Sequence, residues 1–360
     1  LTSLDLDLAM NLNLDKKDFR EICINLTQLR VLSRLRLDLS TNINLSDQTI
    51  TSLGHALNKL PLLYLNINFS GILKVSHAEW TSLFQDFSDL KNLTELTLNL
   101  SYCSGINEEV LKYLAITLQE MKCLDVLSLD LSSCHVHDIT LARLSISLKN
   151  LQSLHTLKVN IAENRGVTRS GFNKLAPGLS EARSLKAVSF TIDSDLLPDN
   201  VAKSSPIYCL YGAESLRSLE LQAGRCNEAQ LLVLSSQLIW IPQLTSITLG
   251  FSSGDGISPK TKAEFAQRMR KLKNLEEFKL SIGYNRLEVW MDNFTQIQWG
   301  MKDIQVGCEN ADIVRYRTAL KRERSYKRQQ LMALAIIFLI FFAVLACLIA
   351  IPLAVSPPAG

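Results

Sequence analysis

Apolar and polar residues alternate along this chain in a string that keeps returning. It reads L-x-x-L-x-L-x-L, as in Leu32 to Leu39 (LSRLRLDL), Leu93 to Leu100 (LTELTLNL) and Leu124 to Leu131 (LDVLSLDL). Alternation of this kind predicts a half-buried strand. Ten copies start at Leu1, Leu32, Leu62, Leu93, Leu124, Leu154, Leu185, Leu216, Leu244 and Leu275, 28 to 31 residues apart. A degenerate eleventh, MKDIQVGC, starts at Met301. A period this regular predicts a solenoid built from one repeated supersecondary unit. Between the strings the period changes. Leu111, Leu114, Ala115, Leu118 and Met121 share one helical face, as do Leu141, Leu144 and Leu148, and Ile50, Leu53, Leu57 and Leu60. Ser258-Pro259 has the form of an N-cap followed by proline at the first helical position. One strand and one helix cannot bury their apolar faces alone, whereas stacked copies can, so the string must recur.

These repeats resemble the leucine-rich repeat family, most closely its long, helix-containing, ribonuclease-inhibitor-like branch, over roughly residues 1–308. The resemblance implies an α/β horseshoe of about ten strand–helix units, with a parallel sheet on the concave side and helices outside. One departure stands out. Where the family keeps an Asn after the strand, this chain has Ser40, Ser70, Ser101, Ser132 and Ser252, or Ala162, Asp193, Gly224 and Gly283. A serine ladder is therefore expected to serve the turn groups that Asn would serve. The unit from Leu185 is irregular, because Pro198 and Pro206 fall where its helix should run, which predicts a short or broken helix.

Polar positions between the leucines face away from the core. The first such column runs Asp5, Arg36, Asn66, Thr97, Ser128, Lys158, and the second Asp7, Asp38, Asn68, Asn99, Asp130, Asn160. Ten strands about 4.8 Å apart make a rim of about 48 Å, long enough for a protein partner. Asp7, Arg36, Asp38, Asn68, Asn99, Ser128, Asp130, Lys158 and Asn160 are the candidate partner-binding residues. The alternative reading of the Asx column is structural, with short polar side chains bonding in ladders across a crowded sheet.

After the repeats comes a basic linker, 309–330, with Arg315, Arg317, Lys321, Arg322, Arg324, Lys327 and Arg328 flanking the next segment. Residues 331–355 contain no charge, enough to cross a bilayer as one helix, and 356–360 form a short tail. Basic residues before the span place the repeats on the cytosolic or matrix side, as in a tail-anchored protein. The alternative is a plasma-membrane protein with its repeats outside. The chain opens at Leu1 inside a repeat, which predicts a missing N-terminal part.

The bulk composition adds little beyond this. With 47% apolar and 20% charged residues and a net charge of +3, nothing calls for nucleic acid. The eight cysteines are scattered without a Cys-x-x-Cys pair, which predicts small core residues in a reducing compartment. N-x-Ser/Thr sequons occur at Asn25, Asn44, Asn68, Asn92, Asn99 and Asn293, with Asn68 and Asn99 inside expected strands. Cys134-His-Val-His-Asp138 offers metal-ligand types but no distal pair, and Gly250 to Ser258 (GFSSGDGIS) lacks the lysine of a phosphate loop. No metal, cofactor or catalytic constellation is expected. These readings favour a membrane-anchored interaction scaffold or an accessory subunit of a membrane complex. The alternatives are a type I receptor or adhesion ectodomain, and a GTPase-activating regulator by fold analogy alone.

Overall fold

In the computed structural model, the described residues are 1–11, 16–42, 45–200, 204–253, 257–282 and 303–305. They all fall in one compact unit, Leu1–Gly307. Its strands are β1 (Ser3–Asp7), β2 (Arg34–Asp38), β3 (Tyr64–Asn68), β4 (Glu95–Asn99), β5 (Val126–Asp130), β6 (Thr156–Asn160), β7 (Ala187–Ile192), β8 (Ser218–Arg225), β9 (Ser246–Ser253), β10 (Glu277–Ile282) and β11 (Asp303–Gln305). They form one parallel sheet in strict chain order. The helices are α1 (Lys16–Leu26), α2 (Asp47–Leu57), α3 (His77–Asp86), α4 (Glu108–Glu120), α5 (Asp138–Asn150), α6 (Arg169–Glu181), α7 (Glu228–Leu238) and α8 (Pro259–Met269). Each strand is followed by a helix in the first six units, and neighbouring helices pack side by side. The strand–helix solenoid expected from the repeat is thus what these residues form, and β11 supplies the strand of the degenerate copy at Met301.

The leucines behave as the period requires. Leu124, Leu127, Leu129 and Leu131 are buried, as are Leu111, Leu114, Leu118 and Met121 from the α4 segment, all within one continuous core. Helix starts follow local chemistry. The Asn107 side chain accepts from the Val110 amide at the head of α4, and Ser258 caps α8 ahead of Pro259. The irregular unit also behaves as its prolines predict. Between β7 and β8 the described residues hold only two short 3₁₀ turns, Ser194–Leu196 and Tyr208–Leu210. Arg169 donates to the Asp195 and Leu197 carbonyls and ties this segment to α6.

The expected serine ladder is not what holds the turns. Ser40 and Ser132 donate to Asp38 and Asp130 two residues earlier, within their own unit. The groups that bridge units stand two residues further on. Asn42 Nδ2 donates to the Leu8 carbonyl of the preceding unit, Cys103 Sγ to Phe69, Cys134 Sγ to Leu100 and Asn164 Nδ2 to Leu131. At these four turns Asn or Cys therefore does what the serines were expected to do. The expectation fell on the serines because they directly follow the last leucine of the string, two residues short of the bridging groups.

The residue before each of these four has a left-handed backbone, as do Met10 and Gly71 at the same place in their units: Met10, Thr41, Gly71, Tyr102, Ser133 and Glu163 all have φ between 52° and 74°. This conformation lets the sheet ladder run on through the turn. Amides of Met10, Thr41, Gly71, Tyr102 and Ser133 each reach a carbonyl of the next unit, at 2.7 to 3.1 Å. At Glu163, facing the irregular unit, the Asp193 carboxylate accepts instead.

The basic flank Arg315 to Arg328 and the apolar run 331–355 lie outside the described residues. Among the described residues, no helix is long and apolar enough to cross a membrane.

Candidate functional site

The helix-free face of the sheet is the one the sequence reading assigned to a partner. Strand register places its side chains in rows. Asp5, Arg36, Asn66, Thr97, Ser128 and Lys158 stand opposite one another from β1 to β6, and Asp7, Asp38, Asn68, Asn99, Asp130 and Asn160 form the row beside them. All nine candidate residues thus lie together in two adjacent rows. A third row escaped that reading: Ser3, Arg34, Tyr64, Glu95, Val126 and Thr156. The signal was present, since period-2 alternation continued one step back from the first column lands on these residues.

The Asx row has a structural role in every one of these six units. Oδ1 accepts the amide two residues on: Ala9 to Asp7, Ser40 to Asp38, Ser70 to Asn68, Ser101 to Asn99, Ser132 to Asp130 and Ala162 to Asn160, at 2.9 to 3.1 Å. Such Asx turns favour the bend that ends each strand. Two units add a lateral bond, Asn68 to Asp38 at 3.0 Å and Asn160 to Asp130 at 3.1 Å. Burial pushes the Asp38 carboxyl up, but the Ser40 hydroxyl and amide, the Asn68 amide and the Arg36 charge outweigh it, so its pKa is lowered. The structural reading of the Asx column therefore holds for all six inner oxygens as turns within each unit, while lateral ladder bonds are made at two pairs, on the outer oxygens. The row remains half-exposed at Asp38, Asn68, Asn99, Asp130 and Asn160, and Asp7 is exposed, so the same side chains still meet solvent.

The other two rows are held more loosely. Arg36 approaches Asp5 at 3.7 Å, with both side chains more than half exposed, and the Arg34 guanidinium lies over the Tyr64 ring at 4.4 Å. Exposed pairs of this kind contribute only up to about 1 kcal/mol and leave the groups available. Further along, Ser189 donates to Glu220, and Glu277 sits against Lys279, which holds its pKa down.

On the rim above these rows, the Tyr102 hydroxyl and Ser133 Oγ both donate to Glu163 Oε2, at 2.7 and 2.6 Å, tying three successive turns together. These two donors lower the Glu163 pKa, and the carboxylate raises that of Tyr102. In the Cys134–Asp138 segment Cys134 and Val136 are buried while His135 and His137 are exposed. Cys134 is buried in the turn ladder, and His137 is the residue before α5. Among the described residues no three His, Cys, Asp or Glu gather as metal ligands, and no cysteine is in a disulfide.

No family model matches the sequence, and no curated protein matches it. Among solved structures, an internalin from Listeria monocytogenes strain 4b F2365 is similar over 86% of this chain and 88% of its own, at 15% identity and a TM-score of 0.33. At that level the strand order described above, and not the neighbour, defines the fold.

Proposed function

We propose that this chain is a leucine-rich-repeat scaffold or accessory subunit that holds a protein partner on the open face of β1–β6. The observation that carries this reading is the three-row array itself. Six parallel strands present fifteen or more polar and aromatic side chains over about 24 Å, on a face that no helix among the described residues covers. Our reading attaches the scaffold to a membrane through 331–355. The seven basic residues from Arg315 to Arg328 put the repeats on the cytosolic or matrix side.

Affinity purification of the full chain in mild detergent tests the docking face. Asn66→Trp combined with Ser128→Trp blocks two open positions two strands apart that take no part in the Asx turns. A partner recovered with the wild type should be lost with this variant. Undiminished recovery would move the docking site off the open face. Protease protection of sealed membranes tests the topology, with digestion of the repeats from outside intact cells refuting the cytosolic placement.

The receptor or adhesion reading is kept alive by one feature. Asn25 and Asn92, both exposed, each begin an N-x-Thr sequon. A mobility shift of the cellular protein on endoglycosidase treatment would favour that reading.

A further inference from the structure

We propose that the segment seated on this face is cationic: an extended peptide that carries Lys or Arg at positions i and i+4 and lies across β2–β5. This rests on the reading of the open face as a docking surface.

The first observation is charge. Over β1–β6 the three rows carry five carboxylates (Asp5, Asp7, Asp38, Glu95, Asp130) and three cationic groups (Arg34, Arg36, Lys158), a surplus of two negative charges. The chain as a whole has the opposite sign, +3. Both guanidinium groups already have a neighbour on the face, Arg36 near Asp5 and Arg34 on the Tyr64 ring. Among the described residues, no cationic side chain pairs with Asp7, Asp38, Glu95 or Asp130. A face of unpaired carboxylates attracts a cationic partner and disfavours an anionic one.

The second observation is that the face already accommodates guanidinium groups of its own. Arg34 stacks on Tyr64, and Glu95 stands directly opposite Tyr64 on the next strand. Aromatic ring and carboxylate side by side suit a guanidinium better than an ammonium, because the planar group can stack and form an ion pair at once.

The third observation is spacing. Asp38 and Asp130 share a row three strands apart, about 14 Å. In an extended peptide, side chains on one side recur every second residue, so residues i and i+4 lie about 13 to 14 Å apart. Between the two carboxylates stand the Asn68 and Asn99 amides, which suit a neutral intervening residue.

The probe is a fluorescein-labelled Gly/Ser peptide of twelve residues with Arg at its fourth and eighth positions, titrated against the 360-residue chain in mild detergent and followed by anisotropy. Saturable binding that weakens as salt rises is expected. Asp38→Asn with Asp130→Asn removes both charges but keeps the turns, since Asn68, Asn99 and Asn160 make the same bond in their own units; it also gives up the two lateral bonds from Asn68 and Asn160, so an unchanged circular dichroism spectrum is required of it first. This double variant should bind about tenfold more weakly, and the same peptide with Glu in place of Arg should not bind. Equal binding by the double variant, or by the Glu peptide, overturns the proposal. If the Trp-blocked variant loses its cellular partner while the double Asn variant keeps it, the docking face stands and the cationic segment falls.

Discussion

Asn164 gives the strongest test of the account of the turns. Its side chain is buried and fully engaged. Oδ1 accepts the amides of Cys134 at 3.0 Å and Val136 at 2.9 Å, while Nδ2 reaches the carbonyls of Leu131 at 2.8 Å and Ile161 at 3.0 Å. Asn164→Ala strands two buried amides and removes the donor to three carbonyls, Ala162 at 3.1 Å being the third. A buried polar group left without its partner costs about 1–3 kcal/mol. With partial relaxation, the two amides alone predict a loss of about 3–5 kcal/mol. The bonds join the fifth and sixth units, so the loss should appear as a break in cooperativity at that junction, with a lower m-value as well as a lower midpoint.

Two further variants separate this mechanism from generic damage. Asn164→Cys imitates what Cys134 and Cys103 do one and two units earlier, donating to the preceding unit while accepting little. It should recover part of the loss, to about 1–3 kcal/mol. Asn160→Ala removes a half-exposed Asx turn and should cost only about 1 kcal/mol. Urea titration followed by far-ultraviolet circular dichroism ranks the three. If Asn164→Ala lies within about 1 kcal/mol of wild type, or is no worse than Asn160→Ala, the ladder is not what joins these units.

Other consequences are simpler to state. A Cβ on Gly178 would sit 2.3 Å from the Ser145 carbonyl oxygen, where α5 and α6 meet, so Gly178→Ala should lower stability by about 1–3 kcal/mol in thermal melts, and an unchanged melt would contradict the close approach. Gly71 has φ +74° in a turn whose counterparts are Thr41, Tyr102, Ser133 and Glu163, so Gly71→Ala should cost only about 1 kcal/mol in the same melts, despite a left-handed backbone. Thr140 Oγ1 is buried without a hydrogen-bond partner beside an apolar gap between α4, α5 and β5, so Thr140→Val should leave stability unchanged or raise it by about 1 kcal/mol. Burial raises the Asp86 pKa, and the His55 charge only partly offsets this, so the ionised carboxylate is destabilising above its folded-state pKa and protonation relieves the cost as pH falls. Asp86→Asn should therefore flatten the pH dependence of the urea midpoint across the acid range, and an unaltered profile would count against this.

How far the sequence disclosed this depends on which physical effect sets each residue. The leucine string and the helical faces obey burial, which is periodic, so Leu127 and Leu114 could be placed in the core by counting alone. Strand rows follow from the same period, and that is why Asp38 and Asp130 were correctly set side by side with Asn68 and Asn99. Turns obey hydrogen-bond satisfaction, which has no period of its own. Ser40 looked like the ladder residue because it follows the last leucine, yet it bonds within its own unit, and Asn42 two positions on reaches across to Leu8. Cys103 and Cys134 looked like inert core for the same reason, since a thiol donating to a carbonyl leaves no mark in composition. Tyr64 was missed because it lies in the two-residue gap between Leu62 and Leu65, before the strict alternation begins, although it stands beside Arg34 and opposite Glu95.

The same distinction bears on where recognition can reside. In the Asx row one oxygen of each side chain is committed to ending its strand, so aspartate and asparagine serve the turn equally. What differs between them is the outer atom, which the turn does not need. At Asp38 and Asp130 it is an oxygen that accepts from Asn68 and Asn160, and an asparagine there would set one amide nitrogen against another. These lateral bonds are a reason within the fold for aspartate at the two places, and a partner that reads negative charge about 14 Å apart would add a second. Exchanging each for asparagine gives up both: stability should fall by about 0.5–1.5 kcal/mol per lateral bond, and affinity for a charge-reading partner should fall with it. If stability falls while affinity is unchanged, the charge serves the lateral bond alone and the open face has lost its claim to specificity.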